Sequence, residues 1–296
     1  MTEEGKISRA IDKARREQER TRDEDEPPLG HLSEAYDVDE RTSGTGGEPR
    51  RVPAPAEDPE ETVVMHHDKW GQAASQIRSV CQRILGKQDD ERPQVITVTS
   101  GARKEGKTTI AFNLAVGLSE AQDGRVLVLD SDLRGPGVYR VANIESERGL
   151  PHILKNDLEL DGNIYETKVP GVDMISSPNV AELNGQQGLV VKRCKQLLQK
   201  LRRHYAFIVV DTPPVISSTE SRVFGQEGDG VLMVARMEST PRDVVRRSVE
   251  ELKNSGAELL GCLLTDRKHH IPSFIYRLLG HSPAEYYYED YEDKRE

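Results

Sequence analysis

In the central part of the chain, hydrophobic residues come in short unbroken runs and do not alternate with polar ones. Residues 94–99, 125–130, 206–211 and 230–235 each read as a strand of this kind, and 258–264 closes the series. Continuous Val/Ile/Leu runs are what a strand covered on both faces requires. Residues 171–176 predict one more short strand. Between the runs lie segments that predict helices over 108–120, 188–203 and 240–254, and residues 66–85 predict a helix leading into the fold. Thr240 is expected to cap the helix ending at Asn254, with Pro241 at its first position and Asp243 in its first turn. Strands alternating with helices predict an α/β fold: a doubly wound, mainly parallel sheet with helices on both faces. No internal repeat is visible.

The ends of the chain follow a different pattern. Ile7, Ala10, Ile11 and Ala14 fall at helical spacing, which predicts a short amphipathic helix, either a solvated segment or one that orders on a partner. From Thr21 onward the chain is rich in Asp, Glu, Pro and Gly and buries too little apolar surface to offset chain entropy. Residues 1–62 are therefore expected to be a short helix plus a disordered linker, 63–280 the folded domain, and 281–296 a mobile acidic tail.

Composition narrows the function classes. The net charge is −10, from 51 acidic and 41 basic residues, which opposes sequence-independent nucleic-acid binding. Cys81, Cys194 and Cys262 form no C-x-x-C pair, so neither a zinc site nor a disulfide framework is suggested, and a reduced cytosolic chain is expected. The N-terminus has no signal-like apolar run, and no segment nears the roughly 18 apolar residues of a spanning helix. Membrane association is expected to go through a partner or a surface contact.

Three segments carry chemistry. Gly101-Ala-Arg-Lys-Glu-Gly106-Lys107-Thr108 fits G-x-x-x-x-G-K-[ST], follows a predicted strand and opens a predicted helix. In such a loop backbone N–H groups surround phosphates, the lysine reaches the outer phosphates, and the hydroxyl ligates Mg²⁺. ATP with Mg²⁺ is the expected ligand. Asp130 and Asp132 sit at the carboxyl end of a predicted buried strand, where ligands of open α/β sheets bind, and are expected to point to one side. One could hold metal or its water while the other accepts a proton. Asp211 ends the next such strand, before Pro213-Pro214. A fourth feature is the cluster Tyr286, Tyr287, Tyr288 and Tyr291 in the acidic tail. It suits a phosphoacceptor, and equally a low-complexity end or a partner-binding motif.

Taken together, the phosphate loop, VLVLDSDLRGP at 126–136, VVDTPP at 209–214, the stretch from DGVLMV at 229 to the TDR ending at 267, and the tail tyrosines resemble the bacterial tyrosine kinases of capsule and exopolysaccharide synthesis. These are P-loop proteins of the MinD/ParA-like branch, in a free-standing cytoplasmic form. The resemblance runs from Trp70 to Asp293. It implies an autophosphorylating protein-tyrosine kinase. Gly101, Lys104, Glu105, Gly106, Lys107, Thr108 and Thr109 would surround the nucleotide. Thr108, Asp130 and Asp211 would form the metal site, and Lys107, Asp130, Asp132 and Asp211 the catalytic set. Tyr286, Tyr287, Tyr288 and Tyr291 would be the acceptors. Implied partners are the cytoplasmic segment of a membrane chain-length or co-polymerase protein, further copies of the chain, and a tyrosine phosphatase, placing the protein at the inner face of the membrane. Nucleic acid is not implied. The sequence departs from the family at three places. Of its E-x-x-R-x-x-R helix, Ser75–Cys81 keeps only Arg78. Glu220 stands where Asp is usual, and Thr265 where Asn is usual and contacts the base. The competing reading, a MinD/ParA-like ATPase switch without kinase activity, would carry a signature lysine where this chain has Ala102.

Overall fold

The computed structural model describes residues 48–53, 57–86, 94–133, 137–178 and 187–266. The expected helix around residues 7–14, most of the linker, and the tyrosine tail lie outside them. The chain divides into two units between Gly47 and Glu48, and every described residue belongs to the second.

Among the described residues the strands are β1 (Arg51–Val52), β2 (Val95–Ser100), β3 (Val126–Asp130), β4 (Ile164–Glu166), β5 (Val172–Ile175), β6 (Phe207–Asp211), β7 (Gly230–Arg236) and β8 (Leu259–Thr265). They form one sheet in the order β1-β4-β5-β3-β6-β2-β7-β8. Every neighbouring pair is parallel except β4 with β5. The helices are α1 (Val64–His67), α2 (Gln72–Leu85), α3 (Lys107–Ala121), α4 (Val138–Val141), α5 (Leu150–Lys155), α6 (Gln187–Leu201), α7 (Thr219–Glu227) and α8 (Arg242–Asn254).

The two faces of the sheet build two cores. Ile96, Val98, Val126, Val128 and Val209 pack with α2 and α3 on one side. Val95, Leu127, Leu129, Ile208 and Val210 pack with α5 and α6 on the other. The alternation follows from successive strand side chains pointing to opposite faces, and it explains why these strands carry apolar residues on both faces. The doubly wound, mainly parallel α/β class is therefore what the chain adopts.

Several expectations change in detail. Residues 51–52, assigned to the disordered linker, form β1, with Arg51 opposite Ile164 and Val52 opposite Tyr165. The following segment is also tied down, since Glu60 N–H donates to the Val141 carbonyl at 2.9 Å. A two-residue strand has no periodicity to read, and its anchor lies elsewhere in the chain: Arg51 Nε donates to buried Asp173 at 2.8 Å. The helix expected over 66–85 is broken into α1 and α2, because the chain turns at Asp68–Gly71, where the Gly71 N–H bonds the Asp68 carbonyl. A Cβ at Gly71 would lie 1.9 Å from Asp68 Oδ2. The antiparallel β4 was not foreseen; at three residues it carries too little pattern. Thr240 does not cap α8, which has no side-chain cap. Nor is β8 buried on both faces: it is the last strand of the described sheet, with Cys262 exposed and Leu264 63% exposed.

Helix α2 meets α3 at a close contact. A Cβ on Gly117 would stand 2.7 Å from the Cys81 sulfur and 3.2 Å from Ile77 Cγ2. Cys81, at the last position of the family's Arg motif, is thus buried packing. Arg78 lies over the exposed Trp70 ring, 5.7 Å from its centroid, and reaches Glu120 at 3.4 Å. Gly117→Val is expected to overpack this seam and lower stability by roughly 1–3 kcal/mol. A urea midpoint equal to wild type would contradict it.

Candidate active site

The loop from Gly101 to Gly106 joins the central strand β2 to α3. Two of its residues have left-handed backbones, Lys104 at φ 63° and Gly106 at φ 89°, and the latter is a conformation glycine adopts without strain. Gly101 is required for a different reason: a Cβ there would lie 2.8 Å from Val244 Cγ1 and 2.9 Å from the Ser248 hydroxyl. Gly101→Ala is expected to push the loop away from α8 and raise the KM for ATP with the fold retained; unchanged KM would show that the loop does not feel this contact.

Helix α3 is buried on most of its surface and has neither a capping side chain nor an acidic residue in its first turn. The first N–H groups of a helix have no internal acceptor, so Lys107, Thr108 and Thr109 present an anion site. Lys107 itself is 7% exposed.

Beside this turn stand the ends of β3 and β6. Asp130 and Asp211 are direct partners across the two strands, and both are fully buried. The Thr108 hydroxyl donates to Asp211 Oδ2 at 2.6 Å. Asp211 Oδ1, also buried, has no hydrogen-bond partner. Asp130 is differently engaged: Oδ1 accepts the Asp132 N–H and Oδ2 the Val138 N–H, each at 3.0 Å. The chain therefore turns immediately after Asp130. Asp130 and Asp132 are not successive same-side positions of one extended strand, as expected; the first holds the loop that carries the second.

Burial pushes the Asp130 carboxyl well above the ordinary carboxylate range, and the Asp211 charge adds to the shift. Burial also pushes Asp211 up, to about 7, against the opposing Thr108 hydrogen bond and the Lys107 charge. The unfolded chain loses the Asp211 proton near pH 4, while the folded chain keeps it toward pH 7, and the Asp130 shift acts in the same direction. The folded state thus binds more protons in that window, so stability falls as pH rises through it. Mg²⁺ should favour the ionised form. We expect Mg-ADP to raise Tm more at pH 8 than at pH 5; equal increments would contradict this.

These observations fit a nucleotide-bound cation. An unsatisfied buried carboxylate oxygen lies next to a hydroxyl ligand type, and two raised carboxyls mark a site short of positive charge. Mg²⁺ takes few protein ligands and keeps waters and phosphate oxygens, so a hydroxyl and a single carboxylate oxygen are a donor set of the kind it uses.

The other expected residues are distributed as follows. Glu105 lies in the loop, but its carboxylate turns into the protein. Glu220 is buried at the start of α7 and accepts the Ser218 hydroxyl at 2.5 Å. Thr265 donates to the Glu105 carbonyl at 2.8 Å, so the hydroxyl at the supposed base-contact position serves the loop. Thr240 also reaches Glu105; no local signal marked it for this.

A phosphate loop at the head of a buried helix, with a strand-end aspartate bonded to its threonine on a doubly wound sheet, defines a P-loop nucleotide-binding domain. Residues 92–266 match the ParA family model, described as an NUBPL iron-transfer P-loop NTPase. This covers more than half the chain, and the protein belongs to this ParA family of P-loop NTPases.

Within it, the chain is similar to bacterial tyrosine kinases, as the motifs implied. It is 28% identical over 194 residues to the tyrosine-protein kinase ptk of Acinetobacter johnsonii, covering 66% of this chain and 26% of that protein. It is 28% identical to the tyrosine-protein kinase YwqD of Bacillus subtilis (strain 168), covering 66% of this chain and 81% of the relative. The chain thus spans about a quarter of the first and most of the second. Among solved structures, the chimerical protein CapA2B2 superposes with a TM-score of 0.60 at 27% identity, over 74% of this chain and 95% of the other. No helix among the described residues is long and apolar enough to cross a membrane.

Proposed function

We propose that this protein is an ATP- and Mg²⁺-dependent protein-tyrosine kinase that phosphorylates its own C-terminal tyrosines and regulates capsule or exopolysaccharide assembly. The observation that carries the reading is the convergence of Lys107, the Thr108–Asp211 pair and the Asp130–Asp132 turn at the carboxyl ends of β3 and β6, in a chain whose relatives are named tyrosine kinases.

In this reading the loop residues Gly101, Lys104, Glu105 and Gly106 and the first turn Lys107–Thr109 hold the phosphates. Lys107 stabilises charge on the transferring phosphoryl group. Thr108 and Asp211 hold Mg²⁺, with Asp130 adding negative charge beside them; the ion neutralises charge on the phosphate oxygens. Asp132, on the loop fixed by Asp130, orients the incoming tyrosine hydroxyl and takes its proton. The acceptors are Tyr286, Tyr287, Tyr288 and Tyr291. Phosphorylation adds charge to an already acidic tail, so modified copies should repel one another and loosen any homo-oligomer. The cytoplasmic segment of a membrane co-polymerase would activate the enzyme and hold it at the inner face of the membrane, and a tyrosine phosphatase would reset it.

The purified chain incubated with Mg-ATP, with and without such a segment, should acquire phosphate on residues 286–291 by mass spectrometry. ATP hydrolysis without phosphotyrosine in either condition would sink the kinase reading and favour an ATPase switch.

A further inference from the structure

The phosphate loop is gripped by two threonines that follow Glu105 by 135 and 160 residues. Glu105 stands between the loop glycines, yet its side chain is only 3% exposed. Its Oε2 accepts the Ala102 N–H at 3.1 Å, inside the loop. Its Oε1 accepts the Thr240 hydroxyl. That hydroxyl already accepts the Arg236 N–H at 3.0 Å, so its own proton is aimed at Glu105. The Thr240 N–H in turn donates to the Arg236 carbonyl at 3.0 Å, closing the turn between β7 and α8. From the end of β8, Thr265 donates to the Glu105 carbonyl at 2.8 Å, and its Cγ2 would be 3.5 Å from a Cβ on Gly106. The loop is thus fastened to two other elements through one residue.

The physical consequence is preorganisation. A phosphate loop binds only when its N–H groups converge, and a loop with left-handed residues at 104 and 106 has other conformations open to it. Holding it in the binding shape beforehand removes part of the ordering cost of binding. The Ala102 N–H is already taken by Glu105, which leaves the later N–H groups as the anion cradle. A buried carboxylate beneath an anion site has no direct attraction for phosphate. Its contribution is the geometry it imposes.

We propose that the side chains of Glu105, Thr240 and Thr265 position the nucleotide: they act through the shape of the phosphate loop, and none of the three side chains touches phosphate. The inference rests on reading that loop as the Mg-ATP site.

Calorimetric titration of the full chain with Mg²⁺ and a non-hydrolysable ATP analogue tests it. Thr240→Val keeps the β-branched shape but removes the donor, and is expected to raise Kd about tenfold at unchanged stoichiometry. Thr240→Ser, which restores the hydroxyl, should return Kd to within about twofold of wild type. In turnover the Val variant should raise KM with kcat retained, the mark of lost uniform binding. On a Glu105→Ala background, Thr240→Val should add no further loss, because both act through one contact. The proposal is overturned if Thr240→Val binds like wild type, if stoichiometry falls at constant Kd as in a mere folding defect, or if the two substitutions multiply. Absence of binding by wild type would overturn the underlying nucleotide reading as well, an outcome separate from wild-type binding with an inert Thr240→Val.

Discussion

Replacing Lys107 with Met is expected to remove tail phosphorylation almost entirely, by a factor of about a thousand or more. The argument is electrostatic. Lys107 is 7% exposed at the head of α3, beside two carboxylates, and its charge already opposes the rise in the Asp211 pKa. In that dry setting its attraction for phosphoryl oxygens is far larger than in water. Methionine keeps the volume and helix propensity, so the fold should survive, with an unchanged circular dichroism spectrum. Mass spectrometry of residues 286–291 after incubation with Mg-ATP reads the effect. Phosphotyrosine there at wild-type rates in the Met variant would place the transfer chemistry elsewhere.

The largest expected stability effect lies far from the loop, at Asp173 in β5. This carboxylate is fully buried and accepts Arg51 Nε at 2.8 Å, Arg125 Nε at 2.8 Å and the Tyr205 hydroxyl at 3.0 Å. Burial pushes the Tyr205 phenol well up, and the Asp173 charge adds to it, so the phenol remains a donor. Asp173→Ala strands donors on three side chains at once. Breaking a buried pair costs about 3–5 kcal/mol. The lower end is expected here, since the Arg125 side chain is 36% exposed and can turn to water. Urea unfolding should show a lower midpoint, and limited proteolysis should cut the segment around β1, which loses its Arg51 anchor. A loss below about 1 kcal/mol would mean that the cluster positions β1 without stabilising the fold.

Much of this protein was legible in one dimension because its central strands are covered on both faces. Residues 126–129, 207–210 and 230–235 carry apolar side chains on both faces for that reason, residues 95–99 mix valine and isoleucine with threonines that are also buried, and β2, β3, β6 and β7 fall on these segments. The phosphate loop was legible because its chemistry is local: glycine, lysine and threonine act within one strand–loop–helix unit. The aspartates at 130 and 211 were legible because a charge ending a buried strand breaks the pattern. β1 and β4, at two and three residues, are too short to carry a period. β8 read as a covered strand because apolar runs do not reveal which strand lies at an edge.

By itself, then, the sequence determined the α/β class, the P-loop motif, the acids at the strand ends and the family resemblance. Tertiary structure alone decided how those parts face one another. Strand order sets Asp130 against Asp211 and both beside Thr108. The turn after β3 ties Asp132 to Asp130. Glu105 lies beneath the loop because Thr240 and Thr265, remote in the chain, come to it. The first and third share one physical reason: burial and hydrogen-bond satisfaction act through space, and a partner far along the chain leaves no periodic trace in the sequence around either residue. The tie between Asp132 and Asp130 is local, and what decided it was where β3 ends.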